Sequence, residues 1–250
     1  LAGGMDEKEY ANAILDGCLE CGTLGMVGDG ASPKKYLIGL EAIKKHGGLG
    51  IPIFKPREFN LDIIKRFKAA EDAGALAVGV DIDAASFKTM SMKGQAVGPK
   101  TIEELQELKS YLKVPFILKG IMNVESALSA IEAGADAIVV SNHGGRVMDH
   151  MPGTAEVLPE IANAVAGRIK VLADGGIREG VDILKMLALG ADAVMIGRPI
   201  CIAAFGAGQE GVSFYLQEKM KELKKAMILT GCGSVDQIDP SIIFRNKGER

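Results

Sequence analysis

A chain of 250 residues, 48% of them apolar, can bury one large core and is close to the roughly 250 residues of a typical single-domain (β/α)8 barrel. A net charge of -3, with Lys and Glu scattered along the chain, excludes the clustered basic face of a nucleic-acid binder. No apolar run approaches the ~18 residues of a membrane span and no basic-then-apolar leader is visible, so no membrane partner is expected and the chain reads as cytoplasmic.

In chain order, a helical pattern from about Glu7 to Glu20 comes first. It contains Cys18-Leu19-Glu20-Cys21, a C-x-x-C inside a helix rather than at its start, which reads as two small helix-face residues. With Cys201 and Cys232 the cysteines number four, too few and too dispersed for a disulfide framework. Strands are expected near 23–28, 50–54, 76–81, 116–119, 137–141, 171–174 and 193–197. Helix-end-to-strand units recur at Ala73-Gly74-Ala75, Ala133-Gly134-Ala135 and Leu189-Gly190-Ala191, the signature of repeated parallel βαβ units. Thr101-Ile102-Glu103-Glu104 is a capping box opening a helix to about Leu112, and Val212 to Leu229 reads as a long amphipathic helix. The non-periodic segment from Ser86 to Lys100 is the best candidate for a mobile lid.

Seven strands are one short of a (β/α)8 barrel. The opening Leu1-Ala2-Gly3-Gly4 runs directly into a helix and is not an initiator Met, so the first strand is expected upstream, in a longer protein. Residues 1–250 are read as one barrel domain, with an open doubly wound sheet as the alternative.

Special chemistry collects at strand ends. Ser141-Asn142-His143-Gly144-Gly145-Arg146 follows the apolar Ala137 to Val140 and sets an imidazole beside a guanidinium. Asp174-Gly175-Gly176-Ile177-Arg178 follows Val171 to Ala173, and Gly197-Arg198-Pro199 follows Ala193 to Ile196. In a barrel these ends converge on one mouth, so Asp83, Lys119, His143, Arg146, Asp174, Arg178 and Arg198 can share a site. Gly175, Gly176 and Gly197 allow close backbone approach to an anion, both loops carry Arg, and the helix from about Glu179 is expected to present free N–H groups. These features predict a phosphate site; the alternative is that the glycines only make tight turns.

These three turns, together with the strand Phe116-Ile117-Leu118-Lys119-Gly120, resemble the FMN-dependent α-hydroxy-acid oxidases and dehydrogenases over Val114 to Cys232. The resemblance implies FMN, with its phosphate near Arg178 and Arg198. It places Ser141, Asp174, Gly175, Gly176 and Gly197 around the cofactor, and Lys119 at the N1 and O2 edge of the flavin, where a cation favours reduction. It makes His143 the catalytic base, Asp83 its carboxylate partner by ungapped count, with Asp81 a competitor, and Arg146 the clamp for the carboxylate of a small 2-hydroxy acid. No metal is called for, and a homo-oligomer is expected. The family's second carboxylate-binding Arg has no match between Ser86 and Gly94, where Lys88 or Lys93 could substitute. A flavin-contacting Gln of the family appears as Ile53, and a pocket Tyr as Lys55. His46 and His150 read as solvated. The rival readings are an isopentenyl-diphosphate-isomerase-like or reductase barrel, and a flavin-binding protein without turnover. Chemistry of the IMP-dehydrogenase kind needs a nucleophilic Cys in a mouth loop, a position that neither Cys201 nor Cys232 matches.

Overall fold

The computed structural model describes residues 4–244. Seven strands form one parallel sheet: β1 (Gly25–Gly28), β2 (Gly50–Phe54), β3 (Val78–Asp81), β4 (Phe116–Ile121), β5 (Ala137–Val140), β6 (Lys170–Ala173) and β7 (Ala193–Val194). Every one of the strands expected from the apolar runs is present. They lie side by side in sequence order, each pairing with the next in parallel. That order decides between the two expected folds, because a doubly wound sheet reverses direction at a switch point and this one never does. The architecture is a (β/α) barrel course of seven strands among the described residues, with β1 and β7 as its edges.

Helices α1 (Glu7–Glu20), α2 (Pro33–Lys45), α3 (Asn60–Asp72), α4 (Lys88–Ser91), α5 (Ile102–Ser110), α6 (Val124–Glu132), α7 (Thr154–Val165), α8 (Gly180–Ala188) and α9 (Arg198–Leu229) complete the units. β2, β3 and β5 are buried along their whole length, as a sheet covered on both faces demands. Alternation then divides the strands between two cores. Outward residues such as Phe54, Phe116, Leu118 and Ile138 pack against the helices, where Phe67 of α3 lies 6.1 Å from Phe54 and 5.8 Å from Phe116, ring centre to ring centre. Inward residues Ile51, Ile53, Ala77, Ile117, Ala137 and Val139 form a smaller core inside the curl. Gly79 belongs to this inner layer: a Cβ there would come within 2.5 Å of Ile53 Cδ1.

Several local expectations need adjustment. The Thr101 capping box forms, with Thr101 Oγ1 accepting from the Glu104 N–H at 3.2 Å, but its helix ends at Ser110 rather than near Leu112. β7 is only two residues long. The chain leaves the sheet after Met195, whose N–H still donates to Ala173 O at 2.9 Å. The last helix begins at Arg198 rather than Val212 and is broken at Ala207 and Gly208, the glycine-rich interruption that hides its first half from a periodicity search. The 86–100 segment is tied down at its far end. Arg57 bridges to Val97, donates Nη1 to Gln95 Oε1 at 2.8 Å, and is itself fixed by Asp29 Oδ2 at 2.7 Å.

Cys18 is buried in α1, where burial pushes its thiol up to about 11, and Cys21 is the C-cap residue; all four cysteines are free thiols. His150 is exposed, but His46 is not solvated. Its side chain is 10% exposed, held by the Asp16 carboxylate on one side and Ala42 O at 2.7 Å on the other.

Candidate active site

A cavity of about 420 Å³ opens at the C-terminal ends of the strands, within the ~300–1,000 Å³ usual for small-molecule sites. Asp81, Lys119, His143, Arg146 and Asp174 line its inner part, and Gly175, Gly176, Arg178, Gly197 and Arg198 its other end. Asp83 and Ser141 stand directly behind this wall, each bonded to a residue that lines it.

Three local devices bring His143 and Asp83 together. His143 follows β5 in a left-handed conformation with φ of +58°, rare for a residue with a side chain and maintained only where the surroundings over-determine it. Its backbone N–H donates to Ser141 Oγ at 3.1 Å, and its Nδ1 lies 3.0 Å from both oxygens of Asp83. Asp83 sits on a turn of 3-10 helix, Ile82–Ala84, pressed against Gly120. A carboxylate on Nδ1 keeps the proton there and leaves Nε2, which has no hydrogen-bond partner among the described residues, as the nitrogen able to accept one. Asp83, not Asp81, therefore meets the imidazole.

Asp81 instead faces two lysines. Lys55 Nζ donates to its Oδ2 at 2.6 Å, and Lys119 Nζ lies 3.4 Å from its Oδ1. Burial opposes the charge on Asp81, yet Lys55, Lys119 and His143 overcome it and hold the carboxyl below its ordinary range. Lys119 also donates to Ser141 Oγ at 3.0 Å and approaches Asp174 at 3.5 Å. Burial works against its charge too, but Asp81, Asp174 and Asp83 raise its pKa. Donor atoms of Asp81, Asp83 and His143 gather within 4.8 Å of one another. With two lysines on Asp81 and the His143 ring nitrogen on Asp83, both carboxylates of that set already have protein partners.

Arg146 Nε donates to His143 O at 3.1 Å, and its guanidinium carbon is 6.0 Å from the centre of the Phe87 ring. Among the described residues its two terminal nitrogens have no acceptor, which leaves the bidentate fork available. Phe87 also meets the His143 ring edge-on at 4.8 Å and lies 5.1 Å from Lys55 Nζ. No sequence signal marks it. Lys88 and Lys93 are exposed and do not line the cavity, so neither supplies a second clamp there; Lys55 does not line it either and is buried against Asp81.

The anion end differs from expectation in one respect. The N–H groups at the start of α8 are occupied: Asp182 Oδ2 accepts from Arg178 and Glu179 at 3.0 Å, and Glu222 Oε2 from Gly180 at 2.7 Å. The pair Glu179 and Asp182 has capping-box spacing, a signal present in the sequence. The donors that remain are the N–H groups of Gly175, Gly176, Gly197 and Arg198, which have no protein acceptor among the described residues; beyond them α9 has no side-chain cap, but Pro199 lacks an N–H and Ile200 and Cys201 donate to Gly197 O. Arg178 and Arg198 flank them. Both are exposed, Arg198 reaching Gly144 O at 3.4 Å and Arg178 reaching Gly176 O at 3.5 Å. Cys201, in the first turn of α9, also lines the cavity, its Sγ 2.8 Å from the Tyr10 hydroxyl.

Residues 86–245 match the family described as FMN-dependent dehydrogenase. The chain belongs to this family. As a member of the FMN-dependent dehydrogenases it is 35% identical over 236 residues to a peroxisomal (S)-2-hydroxyacid oxidase of Arabidopsis thaliana, covering 81% of this chain and 64% of that protein. It is 48% identical over 143 residues to an L-lactate oxidase of Nostoc sp., covering 57% of this chain and 39% of that protein. A crystal structure of mandelate oxidase superposes with a TM-score of 0.75 at 34% identity, covering 92% of this chain and 72% of that one, and another mandelate oxidase structure holds an FMN adduct. The chain thus spans 64% of the length of its plant relative.

The cofactor of FMN-dependent dehydrogenases fits the residues present. Free backbone donors, an uncapped helix N-terminus and two arginines suit a phosphate. At the other end Asp81 Oδ1 and Asp174 Oδ1 are buried without a hydrogen-bond partner, polar atoms that an N–H-bearing ligand can satisfy.

Proposed function

We propose that the protein is an FMN-dependent oxidoreductase that converts a small 2-hydroxy carboxylate to the 2-oxo acid. The observation that carries this reading is His143, held by Asp83 through Nδ1 with Nε2 left unengaged, on the same cavity as Arg146, whose terminal nitrogens are free.

Gly175, Gly176, Arg178, Gly197, Arg198 and the α9 N-terminus would hold the FMN phosphate, and Lys119, fixed by Ser141 and Asp174, would stand beside the flavin ring. When bound, FMN supplies the acceptor for the two electrons that leave the substrate. Arg146 binds the substrate carboxylate through its two terminal nitrogens and so orients the α-carbon. His143 Nε2 takes the substrate proton, and the Asp83 carboxylate 3.0 Å from Nδ1 stabilises the imidazolium that results. Phe87 covers one side of His143 and Arg146 and keeps water from that flank.

The structure weighs against the isomerase alternative. A diphosphate would call for surplus lysine charge at the inner wall, whereas Lys119 there is matched by Asp81 and Asp174, and Lys55 behind the wall is taken by Asp81. The flavoprotein without turnover is disfavoured by the intact His143 and Asp83 pair. A single barrel domain, a cytoplasmic location and a homo-oligomer belong to the same proposal; the exposed Ile202, Phe205 and Phe214 of α9 offer an apolar surface for self-association. The test is the mass of the cofactor released on denaturation together with chemical detection of 2-oxo acid after incubation with 2-hydroxy acids. FMN and a 2-oxo product are expected; a nicotinamide cofactor, or a protein that stays colourless after incubation with FMN, overturns the reading.

A further inference from the structure

An alternating row of charges runs along the inner wall of the cavity: Asp81, Lys119 and Asp174 line it, and Lys55 stands behind Asp81. All but Asp174 are at least nine-tenths buried, and the row as a whole is neutral. A buried ion pair adds little to stability once its desolvation is counted, so stability alone is a weak reason for a charged row here. The row is also incomplete at Asp81. Asp81 lines the cavity, is 5% exposed, and its Oδ1 has no hydrogen-bond partner, Lys119 standing off at 3.4 Å while Lys55 holds only Oδ2 at 2.6 Å.

We propose that Asp81 is a positioning residue that sets the electron affinity of the bound cofactor by offsetting the charge of Lys119, with Lys55 as the counterweight that limits this offset. The inference rests on the reading that FMN binds beside Lys119. A cation at that edge favours the extra negative charge of the reduced flavin. Asp81 places an anion against the same cation in a poorly screened interior, and so lowers the electron affinity that Lys119 alone would confer. Lys55 acts with the opposite sign, because it draws Asp81 through Oδ2 and cancels part of its field. Asp83, the other carboxylate near Asp81, meets the His143 ring instead. Lys55 and Asp81 lie at the ends of neighbouring strands β2 and β3, so either partner's charge acts on Lys119 of β4 through fixed side chains.

The experiment is the midpoint potential of the FMN-loaded protein, measured by equilibration with a reference dye, for the wild type, Asp81→Asn, Asp81→Glu and Lys55→Gln. Asp81→Asn is expected to shift the two-electron equilibrium toward the reduced form by at least about tenfold, near 30 mV upward. Asp81→Glu, which keeps the charge, returns most of that shift, and Lys55→Gln moves the potential downward. A purely structural role would not give opposite signs for the two partners. The proposal is overturned if Asp81→Asn binds FMN with an unchanged or lower potential, or if Lys55→Gln raises or leaves it. Where Asp81→Asn does not retain FMN, the sign for Lys55→Gln decides. A wild-type protein that takes up no FMN contradicts the underlying functional reading instead, a result seen before any potential is measured.

Discussion

Gly120 and Asp83 fit so closely that a Cβ on Gly120 would lie 2.4 Å from Asp83 Cγ, and Gly120 itself has a φ of +103° that side chains rarely adopt. The glycine at the end of β4 thus makes room for the carboxylate that orients His143. Gly120→Ala is expected to displace Asp83 and slow substrate-driven flavin reduction about 100-fold, the scale of a 1 Å misplacement, while FMN stays bound. Rapid-mixing absorbance measures both quantities, and a normal rate would show that the base does not depend on this packing.

Removing the base itself should cost more than removing its partner's charge. His143→Ala is expected to lower the reduction rate by about 10²- to 10⁴-fold, and Asp83→Asn by a smaller factor, because the latter leaves Nε2 in place. Parallel loss of FMN in His143→Ala would mark a structural histidine.

For Arg146 the expected variant is conservative in charge only. Arg146→Lys retains a cation but loses the planar fork, so kcat/KM should fall by about tenfold or more although FMN content is unchanged. Steady-state kinetics over a series of 2-hydroxy acids provide the check, and an unaffected kcat/KM would place the carboxylate elsewhere.

Much of this arrangement is legible in the sequence, for identifiable reasons. The strands announce themselves because both faces of each are buried, which leaves apolar runs such as Phe116-Ile117-Leu118 and Ala137-Ile138-Val139-Val140. His143 and Arg146 stand out because glycines surround them at a strand end. The pairing of Lys55 with Asp81 is invisible, since the residues are 26 positions apart and meet only when β2 and β3 align. The occupied start of α8 is half legible: Asp182 is a local cap, but Glu222 arrives from the distant α9. His46 misleads because polar flanking residues suggest solvent, whereas Asp16 of α1 folds over it.

Phe67 has no exposed surface and joins α3 to both β2 and β4. Phe67→Ala should destabilise the fold by about 3–5 kcal/mol through lost burial and the cavity left behind. Urea titration reads this from the midpoint, and a loss under about 1 kcal/mol would mean that the site collapses around the gap.

Cys18 introduces a pH dependence at the alkaline end. Burial pushes its thiol up to about 11, so between the ordinary thiol range and that value the folded chain retains a proton that the unfolded chain has lost. Stability should therefore fall as pH rises from about 9 to 11, at no more than roughly 1.4 kcal/mol per pH unit. Cys18→Ala should flatten this part of the profile relative to wild type in urea unfolding at several pH values; an identical slope would assign the effect to another group.

Action of His143 and Arg146 on a 2-hydroxy carboxylate has a visible readout in the flavin. The most direct measurement is anaerobic mixing of the FMN-loaded protein with glycolate, lactate and longer 2-hydroxy acids while the visible flavin band is followed, in the wild type and in His143→Ala. Bleaching of the wild-type band by at least one acid, with stoichiometric 2-oxo acid, is expected, together with a stable band in the variant. A wild-type band unmoved by every hydroxy acid, but altered by a diphosphate or by NAD(P)H, would contradict that action.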